Sequence, residues 1–137
     1  MTDLLKLYGI TLVGFLVVDF VWIALVMRGF YTRYLGHVLA DRPVLPAALA
    51  FYLLFVAGVL FFVVQPALAA GSGQRAALSG AFFGFVCYAT YDLTNLATIK
   101  DWPWIVAAVD MAWGACVSAI TSALGFAAGQ WLGLGRP

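Results

Sequence analysis

Three aspartates, Asp19, Asp92 and Asp110, stand inside long apolar runs that hold no Lys or Arg to neutralise them. A charged side chain within hydrocarbon costs about 3 kcal/mol on insertion scales and marks a functional site by default. Their spacing to the flanking charges puts all three at one depth. Asp19 precedes Arg28 by nine residues, Asp92 precedes Lys100 by eight, and Asp110 follows Asp101 by nine. At a helical rise of about 1.5 Å per residue, each lies about 12–14 Å below the same membrane face. Ionised carboxylates a few ångströms apart repel by roughly 2–4 kcal/mol per pair at an effective dielectric near 20. At least one is therefore expected to hold a proton near neutral pH, or a cation to share the site. Proton exchange and cation binding are the chemistries this layout favours.

Further polar groups fall in the same layer. Tyr88, Asp92 and Asn95 recur at i, i+4 and i+7 within YATYDLTN, with Tyr91 beside Asp92, and Tyr52 comes six residues after Pro46. Residues 18–26 and 109–117 share the word V-D-x-x-W-x-A-x-V on runs expected to point in opposite directions. In an antiparallel pair, Trp22 then lies about 4–5 Å shallower than Asp110, and Trp113 about as much deeper than Asp19. Each Asp is in reach of the other helix's indole N–H, so a reciprocal and purely structural Asp–Trp clasp is the competing reading. The candidate ligand- or proton-binding residues are Asp19, Asp92, Asp110, Tyr88, Tyr91, Asn95, Trp22 and Trp113, with Asp92 as the exchangeable-proton site.

The elements that hold these residues follow from composition. Of 137 residues, 65% are hydrophobic and only 9% charged, where soluble domains run about a quarter charged. That excludes a soluble enzyme, a disordered chain and a nucleic-acid binder, which needs a basic patch. About 20 apolar residues cross the hydrocarbon core, and four runs qualify, at residues 4–27, 45–65, 76–99 and 104–132. The expected fold is an all-α membrane protein, a four-transmembrane-helix bundle forming a single integral membrane domain over residues 1–137. The first run exceeds the h-region of a signal peptide and is read as a retained span. Residues 66–75 and 100–103 read as tight turns, the second opening a helix at Pro103.

In the longer first loop, Tyr31, Tyr34, Leu35, Val38 and Leu39 recur on one side and Arg33, His37 and Asp41 on the other. This is the pattern of a short interfacial helix, with Arg33 and His37 as a surface cap over the polar layer. Arg28, Arg33, Arg42 and Lys100 fall on one face; Lys6, Arg75, Arg136 and the terminal amine on the other. Four against four carries no positive-inside bias, the balance that a dual-topology protein shows. All six acids are Asp; once the three intramembrane ones are set aside, the faces carry seven bases against three acids. Cys87 and Cys116 sit in apolar runs without C-x-x-C spacing and read as free, buried thiols. Gly80 and Gly84, with Ala76 and Ala77, form a small-residue seam for close helix packing. Trp102, Trp104 and Trp131 are placed as interfacial belt residues.

The stretches Asp19-x-x-Trp22, Arg28-Gly-Phe-Tyr31, residues 42–52 (RPVLPAALAFY), residues 88–97 (YATYDLTNLA), Trp102-Pro103 and Asp110-x-x-Trp113-Gly114 together resemble the bacterial predicted-membrane-protein family catalogued as domain of unknown function 2177. The resemblance covers nearly the whole chain, and the Tyr-Asp-Leu-Thr-Asn run is its most specific part. It implies a multi-pass protein of the bacterial inner membrane. It also carries an association with lipid-modifying genes such as cyclopropane fatty acid synthases, but no established activity and no catalytic residue.

Three functions remain open at this point. The first is a small membrane transporter or binding protein whose three-carboxylate pocket takes a proton, a cation or a cationic small molecule, expected as a homodimer because four helices enclose little pathway alone. The second is a membrane-embedded lipid-modifying enzyme. The third is an accessory subunit of a lipid-related membrane complex. No cofactor and no resident metal is implied, and the bilayer itself is a partner in all three.

Overall fold

The structure, a computed structural model, describes residues 1–135, Val26 and Met27 by their backbone alone. Arg136, counted above among the charges of the second face, lies outside the described residues. Among these residues every regular element is helical. Within hydrocarbon this is forced, because a helix satisfies its backbone N–H and C=O groups inside one segment.

Helix α1 (Thr2–Val21) buries one residue in every four, Leu7, Thr11, Phe15 and Asp19, so its inner stripe ends on a carboxylate. It continues through a π-helical stretch, Trp22–Met27, into α2 (Arg28–Leu35). A π turn is wider than an α turn and resets which face the following residues present. The helix of the first loop is thus shorter than its periodicity predicts. It stops at Leu35, the chain turns at residues 36–38, and Val38 and Leu39 lie beyond it, about half exposed.

Helix α3 (Leu45–Val59) passes through a second π-helical stretch, Leu60–Val64, into α4 (Gln65–Ala70). The sequence reading ends this helix at Gln65, before Pro66. Proline lacks the N–H for the ordinary bond to Phe62 and crowds that carbonyl; the wider turn just before it accommodates the ring, and the helix runs on. It ends instead at Gly71, whose φ of 66° lies in the left-handed region, where glycine carries no steric penalty. The predicted ten-residue turn is therefore far shorter, and Ser72 at once caps α5 (Gly73–Thr98) by accepting from Arg75 N–H at 3.1 Å. Helix α6 (Trp104–Trp131) starts after Pro103, as predicted.

Three stretches, Thr2–Leu25, Leu45–Ala70 and Trp104–Trp131, are long and apolar enough to cross a membrane. Helix α5 matches them in length, at 26 residues, but the Tyr88–Asn95 run and the polar start at Gln74 and Arg75 dilute its apolarity. It packs along α6 at very short range. Gly80 and Gly84 face Ser122 and Ser118, and a methyl group on Gly84 would collide with the Ser118 side chain and the Gly114 carbonyl, so the small-residue seam has the packing role expected of it. One core runs through α1, α3, α4, α5 and α6, built on Phe15, Phe55, Val56, Val64 and Val117 among others. A second, smaller cluster joins Leu35 to Trp102 and Val106. Trp102 is thus a buried anchor tying α2 to the start of α6 rather than a free belt residue, whereas Trp104 and Trp131 are 69% and 80% exposed. Both cysteines are free, but Cys116 is exposed and only Cys87 is partly covered.

Candidate functional site

Each of the three aspartates is buried: Asp19 and Asp110 are 7% exposed and Asp92 is 0% exposed. Asp19, at the inner end of the α1 stripe, accepts from Tyr52 Oη at 3.0 Å through Oδ2 and from Trp113 Nε1 at 3.2 Å through Oδ1. Tyr52 is held by an edge-on contact with Phe15, ring centroids 5.6 Å apart. These bonds join three helices at one carboxylate, and bonds to a charged acceptor are the stronger kind.

Half of the predicted reciprocal clasp forms. Trp113 does reach Asp19, but Trp22 does not reach Asp110; its Nε1 is buried with no partner among the described residues. The two indoles lie flat on each other instead, centroids 4.1 Å apart and planes 3° from parallel. Asp110 Oδ1 takes its bond from the Tyr31 hydroxyl of α2. The stretch Trp22–Met27 turns the helix between Asp19 and Tyr31, and helical periodicity read from an unbroken α pattern cannot anticipate the face that Tyr31 then presents. Burial, and next the bond to Asp110, push the Tyr31 phenol above its ordinary range.

A cleft of about 590 Å³ opens among these groups. Of the predicted residues, Asp19, Asp110, Tyr88, Tyr91, Trp22 and Trp113 line it; Asp92 and Asn95 do not. Tyr31, Tyr52 and Cys87 complete its polar wall, and Ile23, Leu35, Leu39 and Phe51 its apolar wall. Tyr31, Leu35 and Leu39 are the part of the first loop that covers the cleft, while Arg33 and His37 are exposed and outside the lining. Arg33 lies over the Tyr34 ring, 5.5 Å from its centroid. Among the described residues, the cleft wall therefore carries two acids and no base.

Asp92 sits behind that wall. It faces Asp110 across the α5–α6 contact, and neither of its oxygens accepts from an amide, indole or hydroxyl donor among the described residues. Tyr88, one turn earlier, lies against Gly114, where any side chain would strike its ring. The layer predicted as one pocket is thus divided, two aspartates in the cleft and one sealed beside it.

Long apolar helices, with charge held at their ends and turns and in three buried acids, make this a helical membrane protein. The chain belongs to the family described as predicted membrane protein (DUF2177), whose model matches residues 4–127. No curated protein and no solved structure matches the chain.

Proposed function

We propose that this protein is a multi-pass protein of the bacterial inner membrane, with α5 as its fourth span, that binds and carries a small molecule through a proton- or cation-linked site. One observation supports the reading above the others: Asp19 and Asp110, from different helices, are buried in the wall of the same cleft, which among the described residues holds no cationic side chain to balance them. Uncompensated buried charge is costly, so an acidic cleft in hydrocarbon is completed by a cation or by protons. In this reading Asp92, which faces Asp110 and meets no other donor among the described residues, holds a proton and passes it to or takes it from Asp110 as the cleft fills and empties. Tyr88, Tyr91, Trp22 and Trp113 shape the space, and Asn95 flanks Asp92 on its helix.

Purified protein titrated with inorganic and organic cations in weakly buffered detergent tests this reading. Saturable binding with proton release is expected, lost or weakened at least tenfold in Asp19→Asn and Asp110→Asn. In Asp92→Asn, binding without proton release is expected. Wild-type binding and proton release in all three variants would sink the reading.

A further inference from the structure

The cleft wall also borders the outer surface of the bundle. A second depression of about 490 Å³ runs along the outer surface of α1 and shares Asp19, Ile23 and Tyr52 with the cleft wall. Its floor is apolar and presented outward: Val17, Phe20 and Val21 are 58%, 70% and 48% exposed. Asp19 thus stands where an acidic, aromatic-walled chamber meets an apolar groove on a helix that is long and apolar enough to span the membrane.

Resting on the reading above, we propose that the ligand is an amphiphilic organic monocation, an ammonium head with a single hydrocarbon chain, taken up sideways from the bilayer. The head lies in the cleft between Asp19 and Asp110, against the faces of Tyr and Trp rings, and the chain lies in the groove over Val17, Phe20 and Val21. Three features select this class. Aromatic faces attract an organic ammonium, quaternary ones included, without demanding hydrogen bonds. A hydrated divalent ion instead takes six or more oxygens. Asp19 already accepts from Tyr52 and Trp113, and no group of three His, Cys, Asp or Glu side chains that could hold a metal ion converges among the described residues. A zwitterionic or anionic lipid head would bring a phosphate into a wall that offers no Lys, Arg or His among the described residues. A purely polar cation would leave the groove without a role.

Cys87 lies in the cleft wall and supplies the readout. With Cys116→Ala it is the sole thiol, and its alkylation rate in phosphatidylcholine nanodiscs reports occupancy. Dodecyltrimethylammonium is expected to slow alkylation saturably. Dodecanol and dodecyl sulfate, which share the chain, are expected not to, and tetramethylammonium, which shares the head, to need at least tenfold more. Phe20→Trp, which fills the groove, is expected to weaken dodecyltrimethylammonium at least fivefold and leave tetramethylammonium unchanged. Equal protection by dodecanol or dodecyl sulfate overturns the charge selection. Equal potency of the two ammonium ions, or no effect of Phe20→Trp, overturns the groove while the cation-linked reading stands. That reading itself falls on a separate outcome, wild-type cation binding and proton release in Asp19→Asn, Asp110→Asn and Asp92→Asn alike.

Discussion

Tyr31 and Asp110, 79 positions apart in the chain, are joined by a hydrogen bond that ties the first loop to the N-terminal part of α6. The bond closes one side of the cleft, and with the Leu35–Trp102 contact it is what holds α2 over the bundle.

Removing that hydroxyl should loosen the cover without unfolding the bundle. Tyr31→Phe is expected to lower stability by about 1.5–3 kcal/mol, the range for a hydrogen bond to a charged group. Hydrogen exchange should rise in residues 28–39 and stay unchanged in α5 and α6. A protein whose exchange in the first loop does not change would show that the apolar contacts alone hold α2.

The same phenol gives a pH dependence. Burial first, and then the bond to Asp110, favour its protonated form, so it titrates above the value of about 10 that it has in the unfolded chain. Above pH 10 the unfolded state loses this proton before the folded state does, so this contribution to stability is complete below about pH 10 and declines as pH rises further. The difference between the alkaline absorbance titrations of the wild type and Tyr31→Phe should be a single late-ionising tyrosine.

At Asp19 charge and shape separate. Asp19→Asn keeps an acceptor for the Trp113 indole, and the Tyr52 hydroxyl can turn to accept from the amide. Near-wild-type stability is expected. Asp19→Leu strands the Trp113 N–H and should cost about 1–3 kcal/mol. Unfolding in detergent compares the two; equal losses would mean that the charge itself stabilises the fold.

The α5–α6 seam is the least tolerant place in the molecule. Gly84→Ala forces a methyl group into the Ser118 side chain and the Gly114 carbonyl, and overpacking of this kind costs about 1–3 kcal/mol. Gly9→Ala, where nothing lies within 4 Å of the added carbon, should leave stability unchanged or raise it. Thermal melts of both variants in one detergent make the comparison.

Asp92 should accept the amide that resembles its protonated form. Asp92→Asn is expected to fold with wild-type stability, because an uncharged group of the same shape suits a site where no amide, indole or hydroxyl donor of the described residues reaches either oxygen. A loss above 2 kcal/mol would show that the carboxylate charge is used structurally.

Much of this was legible in the chain because hydrocarbon permits few choices. The long apolar runs, the scarcity of charge and the three acids set within those runs follow from composition, and the rise of a helix converts residue number into position along its axis. That arithmetic sets position along an axis and leaves rotation about it undetermined. It brought the Trp113 indole within reach of Asp19, and their hydrogen bond forms. Which neighbour each acid meets was decided by packing. The π-helical stretch after Val21 turns Tyr31 onto Asp110 in place of Trp22, and the two indoles stack instead. The close approach of α5 to α6 seals Asp92 away from the cleft that Asp19 and Asp110 share. Pro66, read as a stop, is carried through by the wider turn before it. The sequence alone therefore determined the solvent and the long apolar helices. Only the tertiary structure, through helix rotation and the space left between side chains, divided those acids between an open cleft and a closed core.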